Sequence, residues 1–282
     1  MYIDTHTKDT IQESVCRIFN IEVRELEELF KRARTESHTG MITDGEKLDS
    51  VLNKFIDCRM SNENIGQILF FHIGRRLNSA EDCVEGKNLF ELLSTKNAMS
   101  VFLKNHEVTF KPKDGHLDLY YKDKLISLED TERQYVPYLR WRLGYNRNRI
   151  DYCFNGFMFR DLLLKNNYVR SLYYAPEFIS SLALFLGHST MKKDYLENSE
   201  YYCFEYLVPI DKVYFDNDET LQNTDKQKYL LNQVLHRLYN YYVTESRYMF
   251  DHDNAIIRLS DYDVMQEEYF VTKEKITLEM LT

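Results

Sequence analysis

The apolar and polar positions of the first sixty residues follow a helical period. Over residues 8–34 the apolar side chains fall mostly on one face and the charged ones lie largely outside it, as on an amphipathic helix. A polar break at 35–45 separates this stretch from a second helical pattern over 46–60. The pattern therefore predicts an N-terminal helical segment over residues 1–61.

Beyond this segment, short apolar runs alternate with helical stretches. The run at 68–71 has the length and aromatic content of a buried strand. The predicted strands are 68–71, 108–110, 117–121, 124–128, 201–208, 212–215, 255–259 and 268–279. The predicted helices are 79–85, 90–105, 132–146, 176–187 and 222–246. Because no repeat or low-complexity linker interrupts this region, residues 62–282 are predicted to form one α+β domain.

Composition narrows the class of protein. The net charge of −9 over 282 residues argues against a surface that binds nucleic acid or anionic lipid throughout, although it allows a local basic patch. The five cysteines are an odd number without a Cys-x-x-Cys pair, which favours the reducing cytoplasm over an oxidising compartment. No apolar run approaches the length of a membrane span, so no membrane is expected.

Three short patterns, in a fixed order along the chain, contain candidate chemistry. In the first, at 70–78, an apolar strand ends in His72, and a glycine and two arginines follow soon after. In the second, Leu-Tyr-Tyr-Ala at 172–175 runs into a predicted helix that contains two serines. In the third, Gln-Glu-Glu-Tyr-Phe-Val at 266–271 begins the last predicted strand.

In this order the patterns resemble the signature elements of the ADP-ribosyltransferase superfamily. The similar branch is the His-Tyr-Glu branch, which includes the poly(ADP-ribose) polymerases and diphtheria toxin. The resemblance makes His72, Tyr173 and Glu268 the catalytic signature residues, and it is most specific at Glu268. It implies an ADP-ribosyltransferase-like split β-sheet core over 62–282, with NAD as the substrate.

Roles for these residues follow from the reaction that the resemblance implies. Breaking the nicotinamide–ribose bond needs a carboxylate that stabilises a developing oxocarbenium ion, a role for Glu268 on a buried strand. Tyr173 would offer an aromatic face to nicotinamide, and His72 would bind the ribose hydroxyls. The residues expected to contact NAD are His72, Gly74, Arg75, Arg76, Tyr173 and Ser181. No metal is expected, because the eight histidines are scattered without ligand spacing.

A second candidate feature is an arginine-rich and aromatic stretch at 138–149. Arginine planes and aromatic rings together favour single-stranded nucleic acid, through phosphate pairing and base stacking. The alternative is an amphipathic helix whose arginines pair with carboxylates and whose aromatic rings join the core. The candidate nucleic-acid contacts are Arg140, Trp141, Arg142, Arg147 and Arg149.

Besides nucleic-acid binding through residues 138–149, two functions from different classes stay open on the sequence. The first is an NAD-dependent ADP-ribosyltransferase that modifies a macromolecule, protein or nucleic acid, as in bacterial toxins or phage-conflict systems. The second is a non-catalytic interaction or inhibitor protein of such a system, on a degenerate version of the same fold. In either case the apolar faces of the N-terminal helices must be buried, against the later domain or against a partner protein.

Overall fold

A computed structural model of the chain describes residues 1–39, 42–60, 65–146, 150–216, 220–244, 249–250 and 253–282. Its helices are α1 Lys8–Phe19, α2 Val23–Ser37, α3 Gly45–Arg59, α4 Leu89–Ser94, α5 Ala98–Asn105, α6 Val136–Arg142, α7 Asn167–Leu172, α8 Glu177–Leu186, α9 Ser189–Glu197 and α10 Asn223–Val243. Its strands are β1 His38–Thr39, β2 Ile42–Thr43, β3 Gln67–Leu77, β4 Val108–Lys113, β5 His116–Tyr121, β6 Lys124–Leu125, β7 Asn155–Phe157, β8 Ser199–Pro209, β9 Tyr214–Phe215, β10 Ile256–Arg258 and β11 Phe270–Lys275. The fold is α+β with an N-terminal helical segment, as the sequence predicts.

The chain divides into two compact units, and each is built from three separate segments. The first unit contains residues 1–71, 157–167 and 207–257. The second unit contains residues 72–156, 168–206 and 258–282. The domain boundary that the sequence pattern predicts, between residues 61 and 62, therefore falls inside the first unit.

In the first unit the N-terminal helices pack against α10, which comes late in the chain. The apolar face of α1 is fully buried, and an edge-to-face ring contact joins Phe30 of α2 to Tyr239 of α10 at 6.0 Å. A buried ion pair lies in the same unit: the Arg237 Nε donates to an Asp161 carboxylate oxygen at 2.8 Å, which also accepts from the Tyr241 hydroxyl. The apolar faces of the N-terminal helices are thus buried within the chain itself.

The second unit contains antiparallel strands surrounded by short helices. Its part of the larger sheet has the order β11–β8–β3, and Glu274 of β11 lies opposite Cys203 of β8. A separate three-stranded meander has the order β4–β5–β6, and an Asp-Gly turn at 114–115 joins β4 to β5. Helix α8 ends at Gly187, whose φ of 65° lies in the left-handed region that glycine favours.

Several predicted elements have different limits in the structure. The single helix predicted over 8–34 is wrong, because Asn20 adopts a left-handed φ of 50° and ends α1 before α2 begins. The helix predicted over 79–85 is only a 3₁₀ turn, Asn78–Ala80. Strand β3 instead continues through Gly74 to Leu77. Residues 72–77, which follow the predicted end of the strand at residue 71, therefore belong to the same strand.

Longer predicted helices are also interrupted. The helix predicted over 90–105 is divided into α4 and α5, because Asn97 adopts an extended conformation and caps α5 through its side chain. The helix predicted over 132–146 is confirmed only as α6. None of the helices in the described ranges combines the length and the apolar character needed to cross a membrane.

Candidate functional site

A cavity of about 410 Å³ lies within the second unit, inside the range of roughly 300–1,000 Å³ that is typical of small-molecule and cofactor sites. Side chains of α4, α5 and α8 supply much of its apolar wall, among them Leu92, Met99 and Phe178. Strand β3, helix α6 and the segment 151–155 supply its polar groups. The cavity thus combines an apolar wall with a few convergent polar side chains, as ligand sites do.

Strand β3 places His72, Gly74 and Arg76 on the same face, because successive side chains of a strand alternate between faces. All three line the cavity. A Cβ atom at Gly74 would lie 2.8 Å from Nε2 of His72, far inside van der Waals contact. The glycine therefore makes room for the imidazole of its own strand.

The imidazole of His72 is held in one neutral form. Its Nδ1 lies 2.7 Å from the carbonyl oxygen of Asn155, so Nδ1 carries the proton and donates, and Nε2 is the acceptor of the neutral ring. The ring stacks on Phe154 with centroids 4.1 Å apart. Burial, together with the positive charge of Arg76, lowers the pKa of His72 to about 3. At neutral pH His72 can therefore accept a hydrogen bond but carries no charge.

The two adjacent arginines of β3 have different environments. The guanidinium of Arg76 lies over the ring of Phe204, 4.4 Å from its centroid, and within the described part of the chain it has no carboxylate partner. Arg75 is buried, and its donors bind protein oxygens: Ser199 Oγ at 2.8 Å, the carbonyl of Leu196 at 3.1 Å, and the carbonyls of Tyr173 and Ser199. Both arginines line the cavity, but the donors of Arg75 are engaged by protein oxygens, whereas the guanidinium of Arg76 lies on an aromatic ring.

Helix α6 brings part of the arginine-rich and aromatic stretch to the same cavity. Trp141 and Arg142 line it, and an Nη of Arg142 forms a close ion pair with Asp151. Arg140 does not line the cavity; it donates to the carbonyl of Leu128 at 2.8 Å and lies over the ring of Tyr145. Arg147 and Arg149 lie outside the described residues. The stretch thus divides between the cavity wall and the packing of α6.

The structure does not bring the other predicted NAD residues to the cavity wall. Tyr173 follows helix α7 instead of lying on a strand, and its ring contacts Tyr174 and Tyr201 edge-to-face. Ser181 is buried in α8. Glu268 is exposed on the 3₁₀ turn Glu267–Tyr269, just before β11, instead of on a buried strand. None of the three is among the residues that line the cavity.

Ligand atoms of Asp151, Cys153 and Asp261 lie within 4.8 Å of one another, and no other group in the described ranges has such metal-ligand spacing. Arg142 already pairs with Asp151. One oxygen of Asp261 accepts from the backbone N–H groups of Tyr152 and Cys153, at 2.9 and 3.2 Å. Burial and the nearby Asp151 carboxylate raise the pKa of Cys153 to about 12, so its thiol stays protonated. These contacts stabilise the segment before β7.

Sequence reasoning missed the residues that complete the cavity from the segment 151–155 and from α6. Asp151, Phe154 and Asn155 have no local pattern that marks them. Phe154 and Asn155 contact His72, which is distant in sequence, and Asp151 pairs with Arg142 at a separation of nine residues that is not a helical spacing. The arginine-rich and aromatic stretch at 138–149 was the sequence signal that could have indicated the part of the cavity wall formed by α6.

The chain matches no protein-family model, no curated protein and no solved structure.

Proposed function

We propose that the second unit binds a nucleotide in its cavity, and that this nucleotide is NAD, which the protein uses to transfer ADP-ribose to a macromolecule. The observation that carries the proposal is the meeting of Arg76, His72 and Trp141 in the wall of one cavity. A nucleotide has phosphates, hydroxyls and a flat base. Arg76 is a cation for the phosphates, the neutral His72 is an acceptor for a hydroxyl, and Trp141 has an aromatic face for the base.

Charge supports an anionic ligand. The whole chain has a net charge of −9, yet Arg76 lies in the cavity wall without a carboxylate partner in the described part of the chain. A guanidinium binds phosphate oxygens through paired donors. The neutral His72 accepts a hydrogen bond from a hydroxyl through Nε2, which is the function that the resemblance implies for it at the ribose.

Transfer of ADP-ribose is the part of the proposal that the sequence resemblance alone supports. It requires the carboxylate of Glu268 to reach the ligand, and Glu268 stands on an exposed turn. The partner of the protein is then the macromolecular acceptor, which is a protein or a nucleic acid. The reaction would take place in the cytoplasm, where the protein and its acceptor have access to NAD.

Binding is tested by calorimetry of the full chain with NAD. We expect Arg76→Gln to weaken the affinity about 10-fold, the scale of one lost charge-assisted hydrogen bond. Arg140→Gln is the matched control, because Arg140 also lies over an aromatic ring but does not line the cavity. Equal affinities of the two variants, or no binding of NAD by the wild type, would contradict the proposal.

Transfer is tested with labelled NAD in a lysate that contains candidate acceptors. We expect Glu268→Gln to lower transfer by roughly 10²-fold and to leave NAD affinity unchanged, because the charge stabilises the transition state more than the bound substrate. Glu267→Gln is the control, since Glu267 is exposed on the same turn. If the two variants transfer equally well, or if no transfer occurs, the non-catalytic interaction or inhibitor protein replaces the enzyme as the proposal.

A further inference from the structure

We propose that Trp141 and Arg142 form a base-binding subsite in the cavity, which takes a neutral heteroaromatic ring with a hydrogen-bond acceptor on its edge. This inference rests on the proposed nucleotide function and names the part of the ligand that α6 recognises. The sequence pattern linked the same residues to single-stranded nucleic acid.

The aromatic side of the subsite is held in place by its neighbours. Trp141 is half-buried and lines the cavity. Tyr138, three residues earlier on α6, also lines the cavity and meets the indole edge-to-face, with ring centroids 6.3 Å apart. The Arg142 guanidinium carbon lies 5.8 Å from the Trp141 ring centroid. The guanidinium thus lies over one side of the indole, and a flat ring that stacks on the indole beside it would have its edge near Arg142.

The donor side of the subsite is a single N–H group. Arg142 uses an Nη for its ion pair with Asp151, whereas its Nε is buried and has no hydrogen-bond acceptor among the described residues. Buried polar groups of folded proteins are nearly always hydrogen-bonded. An acceptor on the edge of a stacked ring, such as a ring nitrogen or a carbonyl oxygen, would satisfy this donor.

The local charges favour a neutral ring over a phosphate at this place. The carboxylates of Asp151 and Glu177 both line the cavity, and Asp151 is in direct contact with Arg142. A phosphate at Arg142 would have to displace Asp151 or be repelled by it. Arg76 has no such carboxylate in contact, so phosphates bind better there and the base binds at Trp141.

The contacts of Arg140, the other arginine of α6, favour a small ligand over a nucleic-acid chain. Arg140 binds the carbonyl of Leu128 and lies on Tyr145, so it does not extend the subsite along a surface. A strand of nucleic acid needs a continuous groove of cations and aromatic faces. Trp141 instead shares its cavity with the apolar side chains of α4, α5 and α8.

The subsite can be monitored directly, because Trp141 is the only tryptophan of the chain. The full chain is titrated with NAD, with AMP, with inorganic pyrophosphate and with a single-stranded oligonucleotide, and tryptophan fluorescence is recorded. We expect NAD and AMP to change the fluorescence at saturable concentrations and pyrophosphate to leave it unchanged.

Arg142→Lys separates the base contact from the ion pair. Lysine keeps a positive charge for Asp151 but lacks the Nε–H group of arginine. We expect it to weaken NAD and AMP about 10-fold and to leave pyrophosphate binding, measured by calorimetry, unchanged. Arg140→Lys is the matched control on the same helix and should bind all four probes as the wild type does.

The outcomes distinguish this inference from the proposed function. If NAD binds by calorimetry while the fluorescence and the Arg142→Lys affinity stay unchanged, the subsite is wrong and the NAD function stands. If AMP binds in an Arg142-dependent way and NAD does not bind, the subsite stands and the NAD function is wrong. Tighter binding of the oligonucleotide than of AMP would assign α6 to nucleic acid and overturn the inference, and failure of every probe overturns both.

Discussion

Four neighbouring residues of β3 have three different roles, because a strand turns successive side chains to opposite faces. His72 and Arg76 line the cavity, Gly74 makes room for the imidazole, and Arg75, which also borders the cavity, uses its donors to bind carbonyl oxygens of the protein. At the scale of single residues, a run that resembles one ligand-binding motif is therefore partly structural.

Gly74→Ala should displace His72. The added Cβ would lie 2.8 Å from Nε2, and the ring cannot yield freely because Asn155 and Phe154 hold it. We expect the free energy of unfolding to fall by about 1–3 kcal/mol, measured by urea denaturation. Gly45→Ala is the control: space around Gly45 is open, it lies in the first turn of α3, and the change should be neutral or stabilising. Equal effects would contradict the steric explanation.

The neutral state of His72 predicts a pH dependence. Its pKa is about 3 in the folded protein and about 6.5 in an unfolded chain, so the unfolded chain takes up the proton first as the pH falls. Its stabilising contribution is complete above about pH 6.5 and is lost progressively as the pH falls towards 3. We expect the stability difference between wild type and His72→Gln to shrink from about pH 7 to about pH 5. An NMR signal of the imidazole that titrates near its ordinary pKa would contradict this.

At the scale of elements, Arg75 ties β3 to the chain that leaves α7 and to the end of α9 and the start of β8. Its acceptors are the oxygens of Tyr173, Leu196 and Ser199. Three separate elements of the second unit thus share one side chain, and the loss of its donors would leave buried carbonyl groups without hydrogen bonds.

Arg75→Met should therefore be strongly destabilising, although it keeps an apolar side chain of similar length. We expect a loss of about 3 kcal/mol in the free energy of unfolding, measured from urea midpoints. The control is Arg24→Met on α2, whose side chain is 87% exposed and forms only an (i, i+4) pair with Glu28; its effect should stay within about 0.5 kcal/mol. A small loss of stability in Arg75→Met would contradict this, because it would show that water or other donors replace the hydrogen bonds of the guanidinium.

At the scale of the whole molecule, the first unit brings together segments that lie far apart in the chain. Helices α1–α3 cover α10, and His236 of α10 binds Asp49 of α3 at 2.7 Å. Removal of these helices would expose the apolar side of α10, including Tyr239, which is 1% exposed in the full chain.

A chain that contains only residues 62–282 should therefore lose cooperative folding of the first unit. We expect it to bind a hydrophobic dye and to show a broadened thermal transition, because the apolar face of α10 has lost its cover. The full chain measured in parallel is the reference. Release of residues 62–282 by limited proteolysis as a stable domain, with an unchanged transition, would contradict this and support the boundary predicted from the sequence.

The sequence by itself determined the class of fold and most of the regular elements, because hydrophobic periodicity and caps are local properties. Helix α3, helix α8 with its terminal glycine, and the β4–β5 hairpin all follow from residues within each element. The break at Asn20 was missed because one left-handed residue interrupts an otherwise continuous amphipathic pattern.

Only the tertiary structure decided which candidate residues share a cavity. By sequence, Arg75 and Arg76 are equal candidates for binding a phosphate. Both line the cavity, but the packing of α9 and β8 engages the donors of Arg75, whereas the Arg76 guanidinium lies over Phe204. Likewise, the sequence does not show that Trp141 lines the same cavity as His72, or that Glu268 lies on an exposed turn. These facts depend on contacts between residues far apart in the chain, and no local pattern encodes such contacts.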